Sequence, residues 1–209
     1  MAPERKHTSD AILDAVRSLL LDGGPRAATI AAIAEASGAP PGTLNHRFGN
    51  REAIMSATWL RAVERFHQHA LHALRTSADP VEIAVALALS VPAFARACPE
   101  DARLLLSLRS ADVLGTDAGS TLDEMNEPLF TSVRDLTRAI YGRTDARSRD
   151  RLTRAVVDLP YAAVRRHMPA LPAWLEEDLA HSVRTLLACL LYTSPSPRDL
   201  STSRMPSSA

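Results

Sequence analysis

The sequence has few aromatic residues and almost no strand-like patterning. Phe, Trp and Tyr together make up only 4% of its 209 residues. Few segments alternate Val, Ile, Tyr or Thr with polar residues, whereas Ala, Leu and Arg are abundant. This composition favours helices over strands, and an apolar share of 46% is enough to form a sizeable core. We therefore expect an all-α protein.

Cysteine is scarce, and neither sign of charge dominates. The two cysteines, Cys98 and Cys189, form no disulfide framework and no zinc pattern, so we expect reduced thiols and a cytoplasmic protein. The formal net charge is +0, which gives no sign of nucleic-acid binding by the chain as a whole. Any DNA binding must therefore come from a local motif.

Long apolar runs are also missing. Residues 1–6 lack the apolar core of a signal peptide. No stretch reaches the roughly 18 uninterrupted apolar residues of a membrane-spanning helix. We therefore expect no membrane association.

Capping residues, glycines and prolines divide the chain into helices. The first is expected to start at Thr8 or Ser9 and to end at residues 23–25. The next three are predicted over about residues 29–38, 41–49 and 51–77. Five more are predicted over residues 80–98, 99–113, 121–141, 145–167 and 172–191, with a kink at Pro160.

The first three helices match a helix-turn-helix, with a short link between the second and third. The second helix braces the third, whose N-terminal residues reach base edges in the major groove. Leu44 and Phe48 must point inward to hold this brace, which leaves Gly42 and His46 facing outward. Residues 37–50 include no acidic residue, so this patch is locally positive.

The run from Thr29 to Ile54 resembles the DNA-binding signature of the TetR family of repressors. The run contains Gly-Thr-Leu, then Phe, then a basic residue followed by Glu, all at the spacing typical of that family. The resemblance extends over roughly residues 8–56. The family usually has Tyr where Asn45 stands, so that backbone contact is lost or replaced. The predicted DNA-binding residues are Thr29, Pro41, Gly42, Thr43, Asn45, His46, Arg47 and Arg51.

The resemblance also implies a helical regulatory domain, a homodimer, and release from a palindromic operator by a small molecule. The apolar, charge-poor middle helices indicate that this effector is hydrophobic. Large residues on the middle helices are either core or the walls of a ligand pocket: Phe66, Phe94, Leu105, Leu108, Met125, Phe130 and Tyr161. Apolar residues on the last two helices form the predicted dimer interface: Leu152, Val156, Leu179, Val183, Leu186 and Leu187.

Two groups of titratable residues allow other interpretations. His67, His69 and His72 lie near Glu64, but among the histidines only His69 and His72 are three residues apart, so a solvated or partly buried helix face is favoured over a metal site. The acids at residues 176–178 begin the last helix, where they favour its dipole. We therefore expect no cofactor, no metal and no enzyme activity. A constitutive DNA-binding protein without a ligand, or a helical metal protein or enzyme, remains the alternative.

The chain is expected to contain two domains and a tail. Residues 1–52 are the predicted DNA-binding domain, and residues 53–191 are the predicted regulatory and dimerisation domain. Residues 192–209 are rich in Ser and Pro and have almost no apolar side chains to bury, which is typical of disorder. This tail resembles translated adaptor or vector sequence.

Overall fold

The computed structural model describes residues 8–115 and 118–192, with the side chains up to residue 188. This part of the chain is helical and contains no strand, which confirms the all-α prediction. The predicted tail lies outside the described residues, except for Tyr192. The helices are α1 (Ser9–Ala27), α2 (Ile30–Ser37), α3 (Pro41–Phe48), α4 (Arg51–Ala73), α5 (Pro80–Ala97), α6 (Pro99–Ser107), α7 (Ser110–Val113), α8 (Ala118–Tyr141), α9 (Ala146–Thr153), α10 (Leu159–His167) and α11 (Leu175–Tyr192).

Local capping signals place the N-terminal helices where the sequence predicts them. The side chains of Thr8, Thr29 and Asn50 each accept the backbone N–H three residues further on, at 2.8–3.1 Å. These bonds satisfy donors that the first helical turn leaves unpaired. Gly38 ends α2 at a φ of 68°, and Gly24 interrupts α1 at a φ of 67°. Both need the left-handed conformation that glycine adopts without strain.

Several boundaries differ from the predicted ones. Helix α4 ends at Ala73 rather than near Ser77, and α11 begins at Leu175 rather than Pro172. The helix predicted over residues 99–113 is divided into α6 and α7, because Leu108 has an extended backbone, with φ −116° and ψ 137°.

Near Pro160, where a kink is predicted, the structure has a π-helical turn over Arg154–Asp158, between α9 and α10. Pro160 has no backbone N–H to donate to the preceding turn. A wider hydrogen-bonding pattern just before it accommodates the missing bond. Such turns often occur at functional sites.

Helix α5 runs through the centre of the bundle and contacts α4, α6, α8, α10 and α11. By length and composition alone it is apolar enough to cross a membrane. Its buried side chains, including Val85, Leu87 and Phe94, are instead part of the core. This packing accounts for its hydropathy without a membrane.

The structure corrects the predicted dimer interface. Five of its six residues are at most 4% exposed and lie in a core cluster of the protomer itself: Leu152, Val156, Leu179, Val183 and Leu187. A side chain that is already packed against its own chain has no surface left for a second copy. Leu186, at 38% exposure, is the predicted interface residue that stays accessible.

Candidate nucleic-acid interface and ligand cavity

The helix-turn-helix is held by side chains that face inward from each of its helices. Ile33 of α2 and Leu44 of α3 are both 0% exposed, in one core cluster with residues of α1 and α4. Phe48 packs against the same cluster and is partly buried. Leu44 and Phe48 therefore brace α3 from its inner side, as the sequence predicts.

The opposite side of α3 presents the predicted DNA-binding residues. Pro41, Gly42, Asn45 and His46 are exposed. Thr43 and Arg47 are half-buried. Acidic residues are absent over residues 37–50 of the sequence, so the exposed surface of α3 is compatible with phosphate groups.

Two predicted DNA-binding residues also have structural roles: a helix cap, which the sequence predicts, and a long-range anchor, which it does not. Thr29 caps α2 through its side chain. Arg51 donates from Nε to the carbonyl of Ala28 at 2.8 Å, and from its terminal nitrogen to the carbonyl of Pro25. Arg51 therefore ties the start of α4 to the connection between α1 and α2. Its contact with DNA stays a prediction.

A cavity of about 310 Å³ lies between α4, α5, α6, α8 and α10. Four of the seven predicted pocket residues line it: Phe66, Phe94, Leu105 and Tyr161. Leu108 and Met125 instead pack against the core shared by α1 and α4, and Phe130 is 60% exposed on α8. A larger groove between α4 and α5, of about 650 Å³, is open surface and encloses a ligand less well.

The cavity opens at the π-helical turn. Val157 and Tyr161 line it and are nevertheless 46% and 39% exposed. The other lining residues are buried or half-buried. These two side chains therefore form its mouth, beside α8.

Three polar side chains in the cavity wall were missed as pocket residues by the sequence analysis. His67 is 8% exposed and hydrogen-bonded to Asn126, which also lines the cavity. Burial lowers the pKa of His67 below its usual 6.5, against the opposing effect of that bond. Trp59 is 9% exposed, and within the described part of the chain its buried Nε1 has no hydrogen-bond partner. Trp59 and His67 lie on α4 and Asn126 on α8, so the pairing of His67 with Asn126 depends on how these two helices pack, which sequence spacing does not show.

The lowered pKa of His67 predicts a loss of stability in mild acid. The unfolded chain binds a proton near pH 6.5, whereas the folded chain resists it, so the free energy of unfolding falls as pH drops below about 6.5. Urea unfolding from pH 7.5 to pH 5 measures this slope, and His67→Gln should flatten it. An equal slope in wild type and variant would contradict this role, and exposed His72 provides the matched control as His72→Gln.

The other histidines do not assemble a metal site with His67. His69 donates from Nδ1 to the carbonyl of Arg65 at 3.0 Å, and His72 is exposed. Among the described residues, no group of three or more His, Cys, Asp or Glu side chains is placed to hold a metal ion.

The helix-turn-helix sequence has known relatives. Residues 12–58 match the family model described as bacterial regulatory proteins, tetR family. Over these residues the chain is therefore similar to the TetR family. The match covers α2 and α3 completely, together with parts of α1 and α4. We call residues 12–58 the TetR-family segment.

Solved structures of transcription regulators share the fold of almost the whole chain. PfmR from Thermus thermophilus is 21% identical, with a TM-score of 0.67 over 85% of this chain and 97% of its own. The ketosteroid transcriptional regulator of Mycobacterium tuberculosis is 16% identical, with a TM-score of 0.67 over 90% and 96%. FadR from Bacillus subtilis, in complex with stearoyl-CoA, is 17% identical, with a TM-score of 0.65 over 86% and 97%. No curated protein matches the chain significantly in sequence. These identities are low, so the structural likeness establishes the fold.

An ion-pair network joins the TetR-family segment to the cavity wall. Arg17 of α1 donates to Asp101 of α6 at 2.6 Å, and Arg65 of α4 donates to the other oxygen of Asp101 at 2.7 Å. Arg17 also donates to Glu100 at 2.6 Å. Helix α6 therefore contacts the TetR-family segment through Glu100 and Asp101, and its next residue, Ala102, lines the cavity.

Asp101 is held in its charged form by this network. Its carboxylate is 2% exposed, and burial alone would raise its pKa. Hydrogen bonds and charge from Arg65 and Arg17 outweigh burial and lower the pKa of Asp101 below 3.8. Removing one partner from such a buried ion pair strongly lowers the free energy of unfolding, because it leaves buried charge uncompensated.

Proposed function

We propose that this protein is a transcriptional repressor that binds a palindromic operator as a homodimer and leaves it when a small molecule fills the cavity. The TetR-family match to residues 12–58 supports DNA binding. The mainly apolar cavity supports regulation by a ligand, and it disfavours a constitutive DNA-binding protein with a filled core. Residues 1–52 bind DNA in this proposal, and residues 53–191 bind the ligand and dimerise, in the cytoplasm.

DNA recognition is assigned to α3. Its exposed Asn45 and His46 hydrogen-bond base edges or phosphates, and Gly42 lets the backbone approach closely. Thr43 and Arg47 contribute further contacts beside them, and Arg51 holds the start of α4. A two-fold dimer places two such helices about 34 Å apart, in successive major grooves.

Ligand control requires two states with different affinities for the ligand. In one state the recognition helices fit the operator, and in the other, which binds the ligand more tightly, they do not. Helix α4 links the two functions, because its first residue is tied to the helix-turn-helix and its middle lines the cavity. Asp101 of α6 provides a second link.

Ligand binding by a protein of similar fold supports this assignment. FadR from Bacillus subtilis is a transcriptional regulator that was solved in complex with stearoyl-CoA. The present cavity, about 310 Å³, is at the small end of the usual range for ligand pockets. We therefore assign it a small effector.

The test of DNA binding is selection of genomic fragments with the purified full-length protein, followed by footprinting. An enriched inverted repeat bound by a dimer is the expected result. Replacing exposed His46 with Ala should weaken binding to that operator by about 1–3 kcal/mol per half-site, the cost of one base or phosphate contact. The matched control is His72→Ala, an exposed histidine on α4, which should leave the affinity unchanged. Equal effects of the two substitutions on operator affinity would show that α3 is not part of the DNA interface. If a folded dimer enriched no DNA fragment, operator binding would be refuted.

A further inference from the structure

We propose that a second pocket, between α6 and α10, binds a phosphate group through Arg103 and Arg165. This pocket has a volume of about 290 Å³. It is separate from the ligand cavity described above, since Leu106 alone belongs to the described lining of both. The site goes beyond the proposed function, because its occupation does not depend on operator binding.

The floor of the pocket is apolar and continuous with the core. Leu106 and Met168 line the pocket and pack against the core cluster that contains Ala102 and Val164. Pro169 completes the apolar side. The core cluster therefore joins α6 and α10 beneath the pocket, and both helices contribute side chains above it.

The polar side of the pocket consists of two arginines and a serine. Arg103 and Ser107 are four residues apart on α6, so they share one face of that helix. Arg165 belongs to the last turn of α10. All three residues are exposed and line the pocket. Two guanidinium groups and one hydroxyl group therefore border the same space from two helices.

Within the described part of the chain, no carboxylate pairs with either arginine of the pocket. Asp101 is two residues before Arg103, so it lies on a different face of α6. There it is held by Arg17 and Arg65. Glu100 is one turn before Arg103, but it pairs with Arg17 at 2.6 Å. The acids nearest in sequence are bound elsewhere, and the pocket keeps its positive charge.

The ends of the two helices do not cancel this charge. Ser107 is the last residue of α6 and Met168 caps the end of α10, so the negative ends of both helix dipoles lie near the pocket. Each end amounts to about half an elementary charge, whereas the two guanidinium groups carry two full charges. The pocket therefore attracts anions.

A phosphate group matches these donors better than a carboxylate does. A guanidinium group presents parallel N–H donors that bind an oxyanion bidentately. A phosphate monoester carries about −1.5 to −2 charges at pH 7 and three acceptor oxygens, so it can bond both arginines and the Ser107 hydroxyl at once. A carboxylate has one charge and two oxygens, which a single arginine satisfies.

The volume of the pocket leaves room for more than the phosphate group. A cavity of about 150 Å³ holds one benzene molecule, and the present pocket is about 290 Å³. Its apolar floor can contact a small organic group attached to the phosphate. Phenyl phosphate is therefore a suitable probe.

Four probes test this assignment: phenyl phosphate, inorganic phosphate, benzoate and benzyl alcohol. They are titrated calorimetrically into the full-length protein at pH 7.5 and about 50 mM salt, where screening is weak. Phenyl phosphate should saturate one site per chain with a dissociation constant of about 1 mM or lower. Benzoate should bind about tenfold more weakly, because it loses the contacts of one arginine, and benzyl alcohol should not bind.

Inorganic phosphate identifies the source of the phosphate group. Weaker binding than that of phenyl phosphate assigns the pocket to an organic ester, because the ester alone contacts the apolar floor. Equal binding assigns it to the free ion. Both results support a phosphate site.

Substitutions of exposed side chains locate the site without disturbing the core. Arg103→Gln and Arg165→Gln each remove one guanidinium group and should weaken phenyl phosphate binding about tenfold. Arg165→Lys keeps the charge but not the fork of donors, so its loss should be smaller. Arg166→Gln is the matched control. Arg166 is the next residue and is also exposed, but it lines a different pocket together with Asp178, so the affinity should not change.

The outcomes separate this inference from the proposed function. Equal weakening by Arg165→Gln and Arg166→Gln, benzoate binding as tight as that of phenyl phosphate, or no saturation up to about 10 mM would overturn the phosphate site. Operator affinity is measured in parallel. A loss in Arg165→Gln as large as the loss of phenyl phosphate binding would identify the anion as a DNA phosphate and overturn the site as well. A protein that selects no operator and still binds phenyl phosphate keeps the site, and the proposed function fails alone.

Discussion

Replacing Asp101 with Ala is expected to lower the free energy of unfolding by about 3 kcal/mol, the lower end of the cost of breaking a buried ion pair. The substitution leaves Arg17 and Arg65 without the carboxylate that both contact. The lower end applies because Arg17 keeps Glu100 at 2.6 Å and Asp14 at 3.3 Å. Urea unfolding at pH 7 measures the change.

The neighbouring residue is the control for this prediction. Glu100 also pairs with Arg17, but its side chain is 54% exposed, so Glu100→Ala should cost less than about 1 kcal/mol. Similar losses from both substitutions would show that burial does not set the strength of this network.

Acid provides an independent check on Asp101. Its pKa is lowered in the folded state, so its contribution to stability is complete above the unfolded value, near 3.8. That contribution is lost as pH falls through the lower folded value. The wild type should therefore lose more stability than Asp101→Ala below about pH 4. Parallel stability curves in that range would contradict the assigned shift.

Filling the cavity should abolish ligand binding without affecting the operator. Ala95 of α5 is 3% exposed and lines the cavity. A phenyl ring at this position would take up about half of the volume, since a cavity of about 150 Å³ holds one benzene. We expect Ala95→Phe to weaken the binding of benzylacetone, an uncharged aromatic ketone used as a probe of the cavity, more than about a hundredfold, because roughly six ligand carbons lose their apolar surroundings.

Ala97→Phe is the matched control on the same helix, because Ala97 is exposed and lies outside the cavity. It should leave the probe affinity unchanged. Operator affinity should stay at the wild-type value in both variants, so that Ala95→Phe acts as a repressor that no ligand releases. Unchanged probe binding by a folded Ala95→Phe would place the ligand elsewhere.

The helix-turn-helix was predictable because its signals are local. Thr29, Gly38 and Asn50 each fix a helix end through atoms within a few residues. The inward direction of Leu44 and Phe48 follows from their spacing of four residues on one short helix. Each of these features is encoded by neighbours in the sequence.

The long-range features were harder to predict, for a different physical reason. Helical periodicity shows that Val183 and Leu187 share an apolar face, but not whether their own chain or a second copy covers it. The acceptors of Arg51 are the carbonyls of Pro25 and Ala28, at the end of α1 after the interruption at Gly24, and they lie 26 and 23 residues away from Arg51 in the sequence. The cavity likewise depends on the relative placement of five helices, which is why the sequence analysis did not predict Trp59 and Asn126 as cavity residues.

The position of the cavity mouth sets the speed of the proposed response. Val157 and Tyr161 close the opening as two side chains at the end of a π-helical turn. Exposed side chains rotate within nanoseconds or less, so we expect a molecule to pass between them without separation of packed helices. An association rate constant of about 10⁶ M⁻¹ s⁻¹, with a micromolar dissociation constant, gives a residence time of about one second. Occupancy of the regulator would then follow the effector concentration within seconds, much faster than the cell replaces the protein itself.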